Sequence, residues 1–200
     1  MLILFWAVFI NVALKCIHAK TFCGRERPEN NHGVHPLVLI GDQEQLLQAG
    51  TKLAELPNLS PEWSLSFAVR LHADTTSTGY CNLVQLTKQN HASGYGDRTP
   101  LISVKTPSRR IHITSSINTE WNHAWENLIL NIDQTYQMEV HQRYVSNGHY
   151  RYFIMIDGVK VYSVLNTDAR QFYNVKVYAS NPFIDACPAY IKNLKVTNFL

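Results

Sequence analysis

Two polar segments of the sequence carry side chains that could bind a polar ligand. Residues 118–127 read Asn-Thr-Glu-Trp-Asn-His-Ala-Trp-Glu-Asn and include Trp121, His123 and Trp125. An indole ring can stack on a sugar ring while His and Asn hydrogen-bond its hydroxyl groups, and Trp is also enriched in protein interfaces. We interpret this segment as an exposed loop that binds a sugar or a protein. In the alternative interpretation, one or both indoles fold back and cover an open end of the fold.

The second segment is the connection 88–100, in which Tyr95, Asp97 and Arg98 lie among glycines. A connection of this length without secondary structure is often functional, because loops carry binding residues on a rigid scaffold. These three residues are therefore further candidates for ligand binding. A mobile surface hairpin without a ligand is the alternative.

The sequence patterns that would indicate catalysis are missing. Glycoside hydrolysis uses two carboxyl groups that face each other across the substrate, and no Asp or Glu pair has suitable spacing within a predicted strand. The nine histidines lack the spacings of zinc sites, and there is no Gly-x-Ser-x-Gly motif. We therefore predict that the protein is not an enzyme. Calcium is a candidate cofactor through the loop residues Asp74, Asp97, Asp133 and Asp168, but these do not cluster in the sequence, so no metal ligands are assigned.

Strands must position these candidate residues. Apolar and polar residues alternate from 135 to 165, and Asn147-Gly148 and Asp157-Gly158 interrupt the pattern. Both dipeptides favour the positive φ angles of type I′ turns, which join antiparallel strands directly. The segment is therefore predicted to be a three-stranded antiparallel meander.

Strand patterns also cover most of the remaining chain. Alternation predicts a half-buried strand from Trp63 to Leu71, and shorter segments predict strands at 82–87, 101–105, 110–115, 127–132, 172–179 and 190–199. Only 43–56 has helical spacing, interrupted by Gly50, and is interpreted as a helical turn before a strand at 52–56. These elements predict an all-β, two-sheet antiparallel jelly-roll sandwich with little helix.

Several segments resemble laminin-G-like modules, which belong to the concanavalin A-like superfamily of jelly rolls. The resemblance rests on 61–69, which reads Pro-Glu-Trp-Ser-Leu-Ser-Phe-Ala-Val, on 150–158 with its Asp-Gly turn, and on the closing segments 175–180 and 189–194. It implies a final strand that returns beside an early one. It also implies binding of glycans, matrix proteins or calcium, although some members cleave glycans. The galectin sugar-binding pattern is missing, because His112-Ile113-Thr114 lacks its continuation.

Residues 1–19 are largely apolar and end at Ala19, which is typical of a cleaved secretory signal peptide. Lys15 lies behind the apolar run, so a retained anchor is the alternative. Residues 20–40 are predicted to be a flexible tail and 41–200 the folded domain, with no membrane span in the mature chain. Cleavage removes Lys15 as the only charged residue, which leaves 17 of the 18 basic residues, 15 acidic residues and a net charge of +2. This charge does not favour nucleic acid as a partner.

Cleavage would also remove Cys16 and leave Cys23, Cys81 and Cys187. If the last strand lies beside the first core strand, Cys187 falls near the loop after that core strand, and hence near Cys81. We therefore predict a Cys81–Cys187 disulfide, as is common in secreted proteins. Cys23 would be the odd cysteine and could link two chains into a homodimer, and its pairing with either of the others stays open.

These observations predict a secreted, non-catalytic recognition module that binds an extracellular glycan or a matrix or cell-surface protein. One alternative is a structural component of the extracellular matrix that self-associates through Cys23. The other is a glycan-cleaving enzyme, which rests on fold analogy alone. A glycosylation acceptor at Asn58-Leu59-Ser60 is followed by Pro61, so partial or no occupancy is expected.

Overall fold

The computed structural model describes residues 32–74, 78–89 and 93–199. The predicted signal peptide and Cys23 lie outside these residues, so the predictions made for them stay predictions. The described strands are β1 (Leu37–Val38), β2 (Gln45–Leu46), β3 (Lys52–Leu59), β4 (Trp63–Leu71), β5 (Gly79–Thr87), β6 (Leu101–Thr106), β7 (Arg110–Ile117), β8 (Glu120–Trp125), β9 (Thr135–Ser146), β10 (His149–Ile156), β11 (Val159–Asn166), β12 (Phe172–Ala179) and β13 (Ala189–Asn198). No described residue is helical, and no helix in this part of the chain could cross a membrane.

The strands form two sheets. The first has seven strands in the order β1-β13-β4-β9-β10-β11, with β2 also paired to β13, and the second has six in the order β3-β12-β5-β6-β7-β8. All pairings between named strands are antiparallel. The last strand, β13, lies beside the early core strand β4, as predicted. The predicted all-β, two-sheet antiparallel sandwich is therefore confirmed.

Alternating side chains fill the space between the two sheets. Trp63, Leu65 and Phe67 of β4 are buried in one apolar cluster with isoleucines of β6 and β7. The Trp63 ring meets the Tyr152 ring edge to face, with 6.5 Å between the ring centroids. Because every second side chain of a strand points into this core, the outer face of each sheet is left to carry function.

The three-stranded meander and its two turns are confirmed. Asn147 and Gly148, between β9 and β10, have φ angles of 52° and 73°, and Asp157 and Gly158, between β10 and β11, have 50° and 77°. The Asp157 carboxyl also accepts a hydrogen bond of 2.8 Å from the Gln137 N–H, which ties the second turn to β9. The turns start the two pairings at Ser146–His149 and Ile156–Val159, and one register shift follows within each pair.

The segment before β3 differs from the prediction. Residues 37–38, inside the segment predicted to be a tail, already pair with β13. Residues 43–50 contain the short strand β2 and not a helical turn, and the Leu47 N–H donates to the Ala189 carbonyl at 3.0 Å. The leucines at helical spacing in this segment pair with the neighbouring strand β13, because tertiary contacts override a weak local preference for helix.

The prediction of a strand at 127–132 is also wrong. This segment crosses from the second sheet, where Ile129 bridges to Arg110, to the first sheet, where Ile132 bridges to Leu71. Leu130 lies between the two bridges and is buried in the core. The apolar pattern therefore reflects the burial of a crossing segment. This segment makes one isolated bridge to each sheet and forms no strand.

The predicted disulfide is formed between Cys81 in β5 and Cys187, two residues before β13, and both cysteines are buried. The residue after Cys81 strengthens the same connection: the Asn82 N–H donates to the Asp185 carbonyl at 2.8 Å, and the Cys187 N–H donates to the Asn82 carbonyl at 3.1 Å. The disulfide thus joins β5 to the segment that leads into the last strand.

Replacing both Cys81 and Cys187 by Ala is expected to lower the free energy of unfolding by about 2–5 kcal/mol, because the cross-link restricts a long loop in the unfolded chain. Urea unfolding followed by Trp fluorescence measures the change. The Cys23→Ala variant is the matched control and should keep the wild-type midpoint. An unchanged midpoint in the double variant would show that strand pairing alone holds the two segments together.

Candidate functional site

The outer face of the six-stranded sheet holds a cleft of about 320 Å³, which we call the outer-face cleft. In β6 and β7, Ile102 and Ile111 point into the core, so Ser103 and His112 beside them point outward. The cleft is lined by the strands β5 to β8, by Arg98 and by the segment between β12 and β13. The lining residues are Tyr80, Arg98, Leu101, Ser103, His112, Asn122, Asn181, Phe183 and Ile184.

A β-bulge in the edge strand β8 directs two side chains toward this face. The register between β7 and β8 shifts between Ser115 and Ile117, so Trp121 and Asn122 together lie opposite Ser116. A bulge of this kind interrupts the alternation of faces and re-aims a side chain. Trp121 and Asn122 therefore contact the same group, although neighbours in a regular strand face opposite ways.

That group is the guanidinium of Arg98. Its Nη1 atom donates a hydrogen bond to Asn122 Oδ1, and its Cζ atom lies 4.7 Å from the centroid of the Trp121 ring, a cation–π contact. The Arg98 carbonyl accepts a hydrogen bond of 2.8 Å from the Ser116 N–H. Backbone and side chain are thus both fixed, and a half-buried cation is held in the wall of the cleft.

Further contacts hold Gly96 and Asp97, next to Arg98, against the sheet. The buried Gln85 amide of β5 donates to the Asp97 carbonyl at 2.7 Å, and the Gly96 N–H donates to Ser116 Oγ at 2.8 Å. Gly96 has a φ of 93°, and a Cβ there would lie 2.6 Å from an aromatic carbon. Only glycine fits this position without strain. The site of Arg98 is therefore set by tertiary contacts.

The same strand β5 holds the opposite wall of the cleft. Asn82 Oδ1 accepts a hydrogen bond of 2.7 Å from the Asn181 N–H, and Asn181 Nδ2 donates to Gln85 Oε1 at 2.6 Å. All three amides are buried. Asn181 Oδ1 in turn accepts a hydrogen bond of 3.0 Å from the Phe183 N–H, and this bond places Phe183 at the cleft. Together with the neighbouring disulfide, this network fixes the segment between β12 and β13.

His112 contributes an imidazole to the cleft. Its Nδ1 atom contacts the Glu126 carboxylate, and its ring centroid lies 4.9 Å from that of Tyr80. Burial lowers the pKa of His112 below its ordinary value, and the Glu126 carboxylate opposes this shift without outweighing it. The imidazole is therefore neutral at pH 7, and can both donate and accept a hydrogen bond.

These groups suit a polar molecule with flat apolar faces. The side chains of Tyr80, Trp121 and Phe183 are 36%, 39% and 41% exposed. Beside them lie the Arg98 guanidinium, the Asn122 amide and the His112 imidazole. Aromatic rings stack on the C–H face of a sugar, and a few convergent polar groups hydrogen-bond its hydroxyls.

The structure separates Trp121 from the two residues predicted to act with it. Residues 118–127 contain the strand β8, so the prediction of a loop is wrong. Trp125 packs against the core, and His123 Nε2 lies 2.6 Å from the Tyr162 hydroxyl, a contact that joins the edge strands of the two sheets. The alternative interpretation, an indole that covers the sandwich, therefore applies to Trp125, while Trp121 faces outward.

Tyr95 and Asp97 are not among the residues that line the outer-face cleft. The buried Asp97 carboxyl accepts a hydrogen bond of 2.8 Å from the Gly94 N–H in its own loop. The Tyr95 hydroxyl donates to the Asp168 carbonyl at 2.8 Å, its ring lies 4.3 Å from the Arg170 guanidinium, and burial raises its pKa to about 12. Tyr95 lines a second cavity of about 360 Å³. Of the three loop candidates, only Arg98 belongs to the cleft.

Three of the four aspartates considered as calcium ligands pair with arginines, at distances of 2.6 to 3.5 Å. The pairs are Asp74–Arg109, Asp133–Arg70 and Asp168–Arg170. In the described parts of the chain, no group of three or more His, Cys, Asp or Glu side chains is placed to hold a metal ion. Calcium binding stays a prediction without assigned ligands.

Sequence reasoning found Arg98 and the neighbouring Trp121 but missed most of the cleft. Tyr80 and His112 belong to strands that do not pair with each other and meet across β6. The available signal was the outward position of polar residues in predicted strands, such as Ser103 in β6. That signal does not reveal which strands are neighbours, so it could not assemble the cleft.

No protein-family model and no curated protein sequence matches the chain. Among solved structures, the Trypanosoma rangeli sialidase in complex with sialic acid has a TM-score of 0.54 at 13% identity, over 82% of this chain and 27% of the sialidase chain. The native heptameric SAP-like pentraxin from Limulus polyphemus has a TM-score of 0.49 at 12% identity, over 78% of this chain and 76% of the pentraxin chain. The endo-β-1,4-glucuronan lyase from the fungus Trichoderma reesei has a TM-score of 0.48 at 13% identity, over 82% and 79% of the two chains.

At these identities the likeness concerns the fold alone. The chain spans only about a quarter of the sialidase chain, for which the TM-score is the highest of the three. The two antiparallel sheets and the return of β13 beside β4 define a concanavalin A-like jelly-roll sandwich. The resemblance noted in the sequence is thereby confirmed at the level of the fold.

The two tryptophans of β8 are expected to respond differently to substitution. Trp125→Ala should lower the free energy of unfolding by about 3 kcal/mol, because it leaves a cavity against the core. Trp121→Ala should change it by no more than about 1 kcal/mol, since it removes one exposed cation–π contact. Chemical denaturation of the two variants measures the difference. Equal losses would show that both indoles serve the core.

The lowered pKa of His112 predicts a pH dependence of stability. Below the ordinary histidine pKa of about 6.5, the unfolded chain binds a proton that the folded chain resists, so stability falls as the pH falls. His112→Gln should therefore lose less stability than the wild type between pH 8 and pH 5. Urea unfolding at each pH measures this. A His112 NMR signal that titrates above pH 6.5 would show that the Glu126 contact outweighs burial.

Proposed function

We propose that this protein is a secreted recognition module that binds an extracellular glycan in the outer-face cleft and does not cleave it. The proposal rests on one observation above all. Two partly exposed aromatic side chains, Tyr80 and Phe183, line the cleft with the hydrogen-bonding groups of Arg98 and Asn122, and a third, Trp121, lies beside it against Arg98. Stacking surfaces beside convergent polar groups are what sugar recognition requires.

Two further features support the proposal. The Cys81–Cys187 disulfide is of a kind that persists in oxidising compartments, which supports secretion. The buried amides of Asn82, Gln85 and Asn181 hold both walls of the cleft in place before a ligand arrives. A preformed site loses less conformational entropy on binding, which favours affinity.

The absence of cleavage is part of the same proposal. The cleft residues supply ring faces, donors and acceptors, whereas glycoside hydrolysis would in addition use two facing carboxyl groups. A bound oligosaccharide should therefore keep its length during long incubation with the protein, as measured by mass spectrometry. Accumulation of shorter products that is lost in His112→Ala would identify an enzyme.

Substitutions in and beside the cleft provide the main test of glycan binding. Trp121→Ala and Asn122→Ala should each weaken binding about tenfold, because one removes a stacking surface and the other a hydrogen-bonding partner of the ligand. The protein is first screened on an array of neutral and acidic oligosaccharides and matrix proteins, with calcium and then with chelator. Titration calorimetry of the strongest saccharide then compares the variants.

Tyr144→Ala is the matched control, because Tyr144 is an aromatic residue that is 53% exposed in β9 of the other sheet. It should keep wild-type affinity. Binding to matrix proteins and to no saccharide would contradict glycan binding and identify a protein as the ligand. A Cys23-dependent dimer on a non-reducing gel, without any ligand on the array, would favour the self-associating structural alternative.

A further inference from the structure

We propose that the outer-face cleft selects acidic saccharides, with the carboxylate or sulfate group of the sugar bound at Arg98 and Asn122. This inference rests on the proposed function and adds the chemical class of the ligand. It follows from the geometry of one guanidinium and from the charges that share its sheet face.

The guanidinium of Arg98 is presented in a fixed orientation. The Trp121 ring lies against it at 4.7 Å, and Asn122 Oδ1 accepts a hydrogen bond from its Nη1 atom. Arginine offers N–H donors in a planar fork that matches the paired oxygens of a carboxylate or sulfate. The Asn122 oxygen faces Arg98, so the Asn122 Nδ2 group can donate a further hydrogen bond to the same anion.

The surrounding charges favour an anion. Lys105 and Arg110 are register partners in β6 and β7, and the alternation of these strands places them on the outward face with Ser103 and His112. Arg98 and Lys105 both disfavour protonation of His112 electrostatically, so their charges act on the cleft. The Glu126 carboxylate on this side contacts His112. The Asp97 carboxylate acts electrostatically on Arg98, but it is buried and accepts a hydrogen bond from the Gly94 N–H in its own loop.

The apolar surroundings strengthen such a contact. Arg98 is half-buried, and Tyr80, Leu101 and Phe183 line the same cleft. An ion pair formed beside apolar groups is screened less than one in open water. A sugar stacked on an aromatic ring could therefore place its acidic group against Arg98 at a site that water only partly reaches.

Matched saccharide pairs test the inference with the whole protein. One pair is a uronic-acid oligosaccharide and its carboxyl-reduced derivative, and the other is a sulfated oligosaccharide and its desulfated derivative. The acidic member of at least one pair should bind at least about tenfold more tightly, and its affinity should fall as salt is raised from 50 to 300 mM. The pair that shows the preference identifies the anion.

Two substitutions assign the preference to the cleft. Arg98→Gln should abolish it. Asn122→Asp keeps an oxygen against Arg98 but adds a negative charge, so it should reduce binding of the acidic member far more than binding of the neutral member. This second variant preserves the contact that holds Arg98, and so tests the charge even where Arg98→Gln disturbs the loop. Thermal midpoints report on folding in each case.

Arg151→Gln is the control for net charge, because Arg151 is exposed in β10 of the other sheet. It should leave the preference intact. Equal binding of both members of each pair, or an equal loss in Arg151→Gln, would overturn the selection of acidic sugars and leave the proposed glycan binding standing. Failure to bind any saccharide would overturn the proposed function itself.

Discussion

Much of this molecule follows from the antiparallel pairing of β13 with β4. That pairing joins the end of the chain to its first long core strand, and it carries the preceding segment across the start of β5. The Cys81–Cys187 disulfide and the hydrogen bonds of the Asn82 backbone secure the crossing. Contacts between such distant residues cost loop entropy, which the buried core and the cross-link offset. One wall of the outer-face cleft exists because this closure occurs.

Buried amides on β5 hold both walls of the outer-face cleft. Gln85 binds the connection that carries Arg98, while Asn82 and Gln85 both bind Asn181 in the opposite wall. Buried polar groups are costly unless they are satisfied, so each amide constrains the backbone that satisfies it. The two walls of the cleft are therefore connected through one strand.

The bulge in β8 decides which of two similar residues is available for recognition. Trp125 keeps the regular alternation and packs against the core, whereas Trp121 lies in the bulge and meets Arg98 on the outer face. A shift of one residue in a strand exchanges its buried and exposed faces. Composition identified this segment as aromatic and polar, but the register of β8 determines which indole is buried and which is exposed.

Local sequence was sufficient for most of the long strands and for the two hairpin turns, but not for β1, β2 and β8. The bounds of β4 and β12, the meander with its Asn147-Gly148 and Asp157-Gly158 turns, and the all-β class follow from alternation and from turn residues that accept positive φ. The strand at 127–132 and the helical turn failed because apolar spacing reports burial without reporting its partner. The cleft could not be predicted for the same reason. Its residues Tyr80, Arg98, His112 and Phe183 come from separate elements, and only the packing of distant strands brings them together.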